Sequence, residues 1–193
     1  MDRSSGILLP ISALPSPHGI GTLGREAYAF ADFLHAAGQK YWQLLPLGPT
    51  SYGDSPYQSF STFAGNPYFI DLDLLAEDGL LSPSELEAED WGGQRRYVDY
   101  GRIYAARFGL LRKAFQAGYP RDRAAVEAFC RENKWLDNYA LYMALKARFG
   151  MKSWLDWPDE DLRLRRAEAL ERAREELAED IAFYAYLQYL FFR

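Results

Sequence analysis

The chain has few of the side chains that bind metals or act as thiol nucleophiles. Its 193 residues include one cysteine, Cys130, and two histidines, His18 and His35. A single cysteine excludes an internal disulfide and indicates a reducing compartment. Neither histidine has a second ligand at a metal-binding spacing, and no histidine lies near Cys130 in the sequence. We therefore expect no metal site and no cysteine nucleophile.

The chain also lacks an excess of positive charge and any long hydrophobic run. Its net charge of −5 argues against a general nucleic-acid or membrane-surface binder. The basic residues of segment 163–176 alternate with acids, as on a solvated helix face. No segment is apolar enough to span a bilayer, and the apolar run within residues 1–12 is too short for a signal peptide. We expect a cytoplasmic protein that binds neither nucleic acid nor membrane.

Aromatic residues, in contrast, are abundant, with 14 tyrosines and 5 tryptophans. Tyr and Trp join a flat apolar face to a polar tip, which suits amphipathic ligands such as sugars; a tyrosine-rich core is the alternative interpretation. The densest stretch is residues 51–68, SYGDSPYQSFSTFAGNPY, where five aromatics stand among glycines, prolines and hydroxyl side chains. This composition predicts a long, shaped loop, and such loops often carry function.

The first part of the chain has the pattern of a βαβ unit. Continuous apolar runs predict buried strands over residues 6–12 and 40–47. The apolar periodicity between them predicts a helix over residues 25–38. A strand, a helix and a strand in this order indicate a parallel sheet. The loop 51–68 then leaves the end of the second strand.

The rest of the chain is predicted to be mostly helical. Residues 67–75 indicate a short extended piece, and Ser82 begins a capping box. Helices are predicted over residues 99–117, 122–132, 137–149 and 158–193. The last one ends in an apolar stretch with no capping residue and no evident partner, since only two strands are predicted. The sequence therefore indicates the first part of a larger protein, with an α/β fold begun and a helical insertion after it.

Residues 19–24 form a literal G-x-G-x-x-G between a strand and a helix, which is the pattern of a dinucleotide-binding loop. That loop requires the glycines directly after the strand and an acid at the end of the next strand. Here residues 13–18 intervene, and no acid follows the second strand before Asp54. The spacing therefore favours an ordinary loop over a nucleotide site.

Carboxylates remain as candidates for glycoside chemistry, which uses a pair of acids projecting into a cleft. Asp54 lies in the loop 51–68, while Asp71 and Asp73 flank Leu72 in the predicted extended piece. Turn or capping roles are the alternative for each, and they are favoured. No convincing pair of acid and nucleophile emerges.

Five short motifs carry a resemblance to a known family: LPSPHGIG, WQLLPLGPT, YGDSPYQS, FAGNPY and the closing AFYAYLQYLFFR. Together they resemble the N-terminal part of amylomaltases, the bacterial 4-alpha-glucanotransferases, and the resemblance covers essentially the whole chain. It implies the α/β class, as the N-terminal part of an alpha-amylase-clan (β/α)8 TIM barrel with a mostly helical insertion. It also implies action on α-1,4-glucans without a metal or other cofactor.

The resemblance assigns roles to several side chains. It implies that Tyr57 lies beside the sugar that is transferred, and Ser55 and Asp54 are expected to bind substrate on the same loop. Tyr52 and Tyr104 resemble a second glucan-binding surface. The family's catalytic carboxylates come from later strands, so no catalytic residue is expected within this chain.

Together these expectations give a prediction for the whole chain. Residues 1–80 are the first strands of the barrel with the substrate-facing loop, and residues 81–193 are the helical insertion with the helix leading back to the barrel. The chain is expected to be the N-terminal portion of a 4-alpha-glucanotransferase that transfers α-1,4-glucan segments by a retaining mechanism, and to be inactive alone. Its partners would be maltooligosaccharides and the missing C-terminal part of the barrel. The alternative is a stand-alone carbohydrate-binding or protein-interaction module.

Overall fold

The computed structural model describes residues 3–51, 53–92 and 96–193. The chain divides into two compact units, one of Met1–Pro120 with Phe191–Arg193 and one of Arg121–Leu190. In the described residues the first unit contains the sheet, and the second is helical. Assignment of residues 1–80 to a barrel and 81–193 to an insertion remains a prediction.

The first unit begins with the predicted βαβ arrangement. Strands β1 (Gly6–Leu8) and β2 (Tyr41–Gln43) pair in parallel, with Ile7 opposite Trp42, and helix α1 (Arg25–Ala36) connects them. Both strands are shorter than predicted. Pro10 has no N–H to donate to a ladder, and the chain turns into a 3₁₀ helix at Ile11–Ala13 directly after it.

Two capped helical turns replace the extended piece predicted over residues 67–75. A 3₁₀ helix spans Pro67–Phe69 and helix α2 spans Leu72–Glu77. The Asn66 side chain accepts from the backbone N–H of Tyr68 at 3.0 Å, and Asp71 accepts from that of Leu74 at 2.9 Å. These caps satisfy N–H groups that an extended strand would have needed a neighbouring strand to satisfy. Helix α3 (Pro83–Glu87) begins with the predicted capping box at Ser82, which is confirmed.

Helix α4 (Tyr100–Glu132) is continuous, so the predicted break between residues 117 and 122 is wrong. Gly118 and Pro120 lie inside this helix, although they disfavour a helix interior by about 1 and about 3 kcal/mol. Packing outweighs that penalty. Ile103, Leu110 and Leu111 on this helix are fully buried, and each such side chain contributes about 1.5–3 kcal/mol.

The second unit contains four more helices among the described residues. Helix α5 (Trp135–Arg148) confirms the prediction over residues 137–149. The single helix predicted over residues 158–193 is wrong, because that segment divides into α6 (Glu160–Arg163), α7 (Ala167–Glu176) and α8 (Ala178–Phe192). The first break follows from the left-handed backbone of Arg165, where φ is 55°.

Helix α8 does have partners within the chain, contrary to the sequence-based expectation. Phe183 and Leu187 are 2% and 0% exposed, so these side chains are already packed within this chain. The Tyr186 hydroxyl donates to Asp122 at 3.0 Å, and the Phe129 ring meets that of Tyr189 at 6.1 Å. Burial therefore stabilises the apolar stretch of α8 up to Leu190, which is 8% exposed, while Phe192 at its end is 51% exposed.

Across residues 3–51, 53–92 and 96–193, none of the helices combines the length and the apolar character needed to cross a membrane.

Candidate functional site

A small cavity lies where both strands end. The carboxyl edge of a parallel sheet is where loops build binding sites. The cavity holds about 30 Å³, which is room for a single water-sized group. Its walls come from the segments directly after β1 and β2, from the loop 51–68 and from α4. The lining residues are Pro10, Ile11, Ser12, Ile20, Leu45, Pro46, Leu47, Thr50, Asp54, Pro56, Asn66, Phe69 and Tyr100.

The loop that leaves β2 is closed at its base and shaped by its own hydroxyl groups. The backbone N–H of Asn66 donates to the carbonyl of Leu47 at 2.8 Å, so the two ends of the loop meet. Ser59 Oγ donates to the carbonyl of Ser61 at 2.7 Å, and Ser61 Oγ accepts from the N–H of Ala64 at 3.1 Å. These serines satisfy backbone groups that no sheet or helix satisfies. The hydroxyl side chains of this loop therefore stabilise its conformation.

Asp54 is the charged member of this cavity. Its backbone φ is 54°, a left-handed conformation that is uncommon outside glycine and that recurs at functional positions. Burial raises the pKa of its carboxyl group. Burial also raises the pKa values of Tyr68 and Tyr100, and the negative charge of Asp54 adds to both shifts. The carboxylate therefore lies close to two tyrosines that come from other elements.

Tyr57 and Ser55 lie on the tip of the same loop. Tyr57 is 73% exposed, so most of its ring is open to a ligand. Ser55 is half-buried, and its Oγ accepts from the backbone N–H of Tyr57 at 3.3 Å. Residues 54–57 thus carry a carboxylate, a hydroxyl group and an exposed aromatic ring within four consecutive positions. That set of groups suits a sugar, which has apolar faces and hydroxyl edges.

Of the two tyrosines predicted to form a second glucan surface, the structure describes one. Tyr52 lies outside the described residues. Tyr104, on α4, is 39% exposed, and its ring packs against Phe108 at a centroid distance of 4.9 Å. Phe108 in turn contacts Tyr68 at 6.1 Å. Tyr104 thus belongs to the aromatic cluster that also adjoins Asp54.

The glycine cluster after β1 serves close packing. A Cβ atom on Gly21 would lie 2.0 Å from the carbonyl oxygen of Ile11, and one on Gly24 would lie 1.9 Å from Asp71 Oδ2. Neither position tolerates a larger side chain. This packing explains the G-x-G-x-x-G pattern without a nucleotide.

Asp71 has the capping role favoured by the sequence, whereas Asp73 lies in the first turn of α2 and contacts a distant histidine. Asp71 caps α2 and accepts from the hydroxyl of Thr22. Asp73 Oδ1 contacts His18 Nε2 at 2.9 Å. Both contacts join the loop after β1 to the segment after the 51–68 loop. The sequence analysis did not anticipate the His18 contact, since 55 residues separate its two partners.

Arg107 lies fully buried behind these carboxylates. Its Nη2 donates to the carbonyl of Ile70, while Nε and Nη1 have no hydrogen-bond partner in the part of the chain that the structure describes. Burial lowers its pKa to about 10, and the charges of Asp71 and Asp73 act in the opposite direction. The guanidinium therefore balances negative charge beneath the site.

Four polar residues of the cavity were not predicted as site residues: Ser12, Thr50, Asn66 and Tyr100. Asn66 precedes Pro67, and an Asn-Pro pair is a turn-initiating signal that could have marked it. Tyr100 lies on α4, and nothing in its local sequence connects it to Asp54.

The described residues show neither a cluster of metal-ligand side chains nor an activated thiol. In residues 3–51, 53–92 and 96–193, no three His, Cys, Asp or Glu side chains are grouped to hold a metal ion. Burial is the main cause that raises the pKa of the Cys130 thiol, which disfavours the thiolate.

Comparisons with known proteins agree on one family. The model of the 4-alpha-glucanotransferase family matches residues 9–193. A 4-alpha-glucanotransferase of Streptococcus pneumoniae is 52% identical over 99% of this chain and 38% of its own length. One from Thermus thermophilus is 50% identical over 100% of this chain and 38% of its own length. Amylomaltase from Streptococcus agalactiae, solved in complex with acarbose, superposes with a TM-score of 0.96 at 42% identity, over 99% of this chain and 39% of that one.

The chain thus spans about 38% of the length of the curated relatives it matches. The superposition on amylomaltase confirms the fold class, the N-terminal part of a TIM barrel with helical insertions. Since the family match covers residues 9–193, the chain belongs to the 4-alpha-glucanotransferase family.

Proposed function

We propose that this chain is the substrate-facing N-terminal part of an enzyme that transfers α-1,4-glucan segments between maltodextrins. The observation that carries the proposal is the loop 51–68, which presents exposed Tyr57 beside Ser55 and Asp54 at the carboxyl edge of the sheet. The family match supports it across nearly the whole chain. The comparisons give no support to a stand-alone binding or interaction module.

In this proposal each loop residue has a separate task. The Tyr57 ring packs against the apolar face of the transferred sugar. Ser55 holds the backbone of Tyr57 in place through its 3.3 Å contact, and the carboxylate of Asp54 accepts from a sugar hydroxyl. The partial burial of Asp54 strengthens that hydrogen bond, because a shielded site has a lower effective dielectric than water.

The bond-making groups belong to the rest of the fold. A retaining transfer needs a nucleophilic carboxylate and an acid/base carboxyl about 5–5.5 Å apart. Among the described residues that line the cavity, Asp54 is the one acid. Later strands would supply the nucleophile, which attacks the anomeric carbon while the glycosidic bond breaks and the acid/base carboxyl protonates the leaving glucan oxygen. The acid/base carboxylate would then take the proton of an acceptor glucan hydroxyl as that hydroxyl displaces the nucleophile. The reaction needs no metal or other cofactor.

The remaining assignments complete the proposal. Tyr104 and Tyr52 form a second glucan-binding surface, supported by the partial exposure of Tyr104. Residues 1–80 supply the first barrel strands and residues 81–193 the helical insertion. The protein acts on maltooligosaccharides in the cytoplasm and binds neither nucleic acid nor membrane.

A chimera tests the proposed activity directly. Residues 1–193 of this chain replace the corresponding part of the Thermus thermophilus relative, with which they share 50% identity. We expect the chimera to convert maltotriose into glucose and longer maltodextrins, as seen by chromatography. A second chimera with the Streptococcus pneumoniae relative, 52% identical, guards against a failure caused by one mismatched junction. Two folded chimeras without transfer activity would refute the proposal.

A further inference from the structure

A second aromatic pocket lies within the helical unit of residues 121–190. It holds about 260 Å³. One wall is a single face of α5, formed by Asn138, Leu141, Tyr142 and Leu145 at helical spacing, and the facing wall comes from residues 154–170. Nothing in the proposed transfer reaction uses this pocket, which we call the helical-unit pocket.

Aromatic rings form much of the pocket. Trp154 is 46% exposed, and Tyr142 is half-buried. Trp157 is 3% exposed, with its ring centroid 5.9 Å from Tyr142 and 5.3 Å from Phe149. The indole N–H of Trp157 has no acceptor among the described residues. A buried donor without an acceptor is unfavourable, so an oxygen atom brought beside this ring would relieve that loss.

Polar groups stand on both sides of the rings. Arg165 Nη2 donates to Asn138 Oδ1 at 2.7 Å, and Arg163 Nη1 donates to the carbonyl of Leu155 at 3.3 Å. Within the described ranges, the residues lining the pocket include no carboxylate. Each guanidinium carries five N–H donors, so most of them remain for a ligand. The two arginines are held by different partners, so their remaining donors can serve separate hydroxyl groups of a polyhydroxyl ligand.

The backbone at Arg165 supports a ligand-binding role. Its φ of 55° follows the end of α6, where Arg165 N–H donates to Leu162 at 3.1 Å and Arg166 N–H donates to Asp161 at 2.9 Å. This helix-ending geometry favours glycine because a Cβ atom strains it. An arginine here accepts that strain, and its side chain crosses to Asn138 on the opposite wall. The strain is explained if the guanidinium has a task that glycine could not perform.

We propose that the helical-unit pocket is an additional α-glucan-binding site, besides the loop 51–68 and the surface of Tyr104. The apolar face of a glucose unit stacks on Trp154, while Asn138 and the two arginines bind its hydroxyl groups. The site would retain long glucan chains on the protein between transfer steps. This inference rests on the proposed action on α-glucans.

Native gel electrophoresis of the 193-residue chain, with and without amylose in the gel, tests the proposal. Amylose should retard the wild type. Trp154→Ala should weaken the retardation about fivefold, the effect of losing one aromatic stacking contact. Leu155→Ala is the matched control, because Leu155 is 62% exposed on the same turn and does not line the pocket. It should migrate as the wild type does.

Arg165→Gly separates binding from folding. Glycine adopts a positive φ without strain, so the variant should be at least as stable to urea as the wild type. It should nevertheless lose amylose retardation, because the guanidinium is gone. A merely structural Arg165 would give normal retardation in this variant and would overturn the inference.

The remaining outcomes distinguish this inference from the proposed function. If Tyr104→Ala loses retardation while Trp154→Ala keeps it, the helical-unit pocket is not a glucan site and the proposed function stands. If amylose does not retard the wild type, the inference is wrong, and the activity of the chimeras then decides the proposed function separately. If inorganic phosphate, and not maltoheptaose, changes the tryptophan fluorescence of the wild type but not of Trp154→Ala, the pocket binds an anion and the inference is wrong.

Discussion

At the scale of single residues, Tyr57 is the side chain on which the proposed activity depends most. A sugar that covers about 60 Å² of its ring gains about 1.5 kcal/mol at about 25 cal/mol per Å². We expect Tyr57→Ala in the chimera to lower kcat/KM for maltotriose about tenfold or more. Tyr28→Ala is the control, since Tyr28 is 69% exposed on α1 outside the loop. Equal kinetics for wild type and Tyr57→Ala would refute the assignment.

Tyr104 should act on long substrates only. It lies on α4 beside Phe108 and is 39% exposed, which is compatible with a platform for a glucan chain. We expect Tyr104→Ala, and likewise Tyr52→Ala, to weaken the binding of long glucans while maltotriose turnover stays nearly unchanged. Measuring kcat/KM on amylose and on maltotriose separates the two substrates. A matching loss on both would instead put these tyrosines in the catalytic cleft.

At the scale of elements, the start of α3 should be sensitive to acid. The pKa of Glu85 is lowered to about 2, first by the backbone N–H of Ser82, then by Lys113 and the Ser82 hydroxyl. A carboxyl whose pKa is depressed on folding contributes stability above its unfolded pKa. That contribution is lost as pH falls from about 4.5 towards about 2.

Glu85→Gln tests this capping box. Gln keeps a hydrogen-bonding side chain but has no charge to lose. The wild type should therefore be more stable than the variant at neutral pH, by a small margin because the Glu85 side chain is only partly buried, and the margin should vanish in acid. Urea unfolding across the acid range measures it. A margin that does not change with pH would contradict the role of the charge.

Local signals predicted the elements whose ends are decided locally. The capping box at Ser82 and the βαβ order of residues 6–47 follow from short-range patterns, and both are confirmed. Helix α4 continues through Pro120 because distant packing outweighs a local penalty. The break at Arg165 likewise escaped prediction, because a left-handed arginine is locally disfavoured.

The candidate site, like the secondary structure, was predictable only where the local sequence decides it. The composition of residues 51–68 predicted a shaped, functional loop, and its serines and glycines explain the conformation of that loop. The approach of Tyr100 to Asp54 was not predictable from the sequence, because it depends on α4 packing against the loop, whereas Tyr68 is the last residue of the loop itself. A single sequence shows which residues a loop contains, and the tertiary fold decides which residues face it.

For the molecule as a whole, the main incomplete feature among the described residues is the sheet, which has fewer strands than a TIM barrel. In the described residues it has two strands, β1 and β2, where a closed TIM barrel has eight. Leu8 and Tyr41 on these strands are 52% and 64% exposed. Unpaired strand edges and exposed apolar side chains favour association with further strands. We propose that the remaining strands of the barrel cover them.

In the proposed enzyme this chain binds glucan, and the rest of the barrel supplies the two catalytic carboxyls. The purified 193-residue chain is incubated with maltotriose, with the active chimera as the positive control, and the products are separated by chromatography. We expect the chain alone to form neither glucose nor longer maltodextrins, because it binds glucan without holding the two catalytic carboxyls. Clear formation of both products by the chain alone would contradict it.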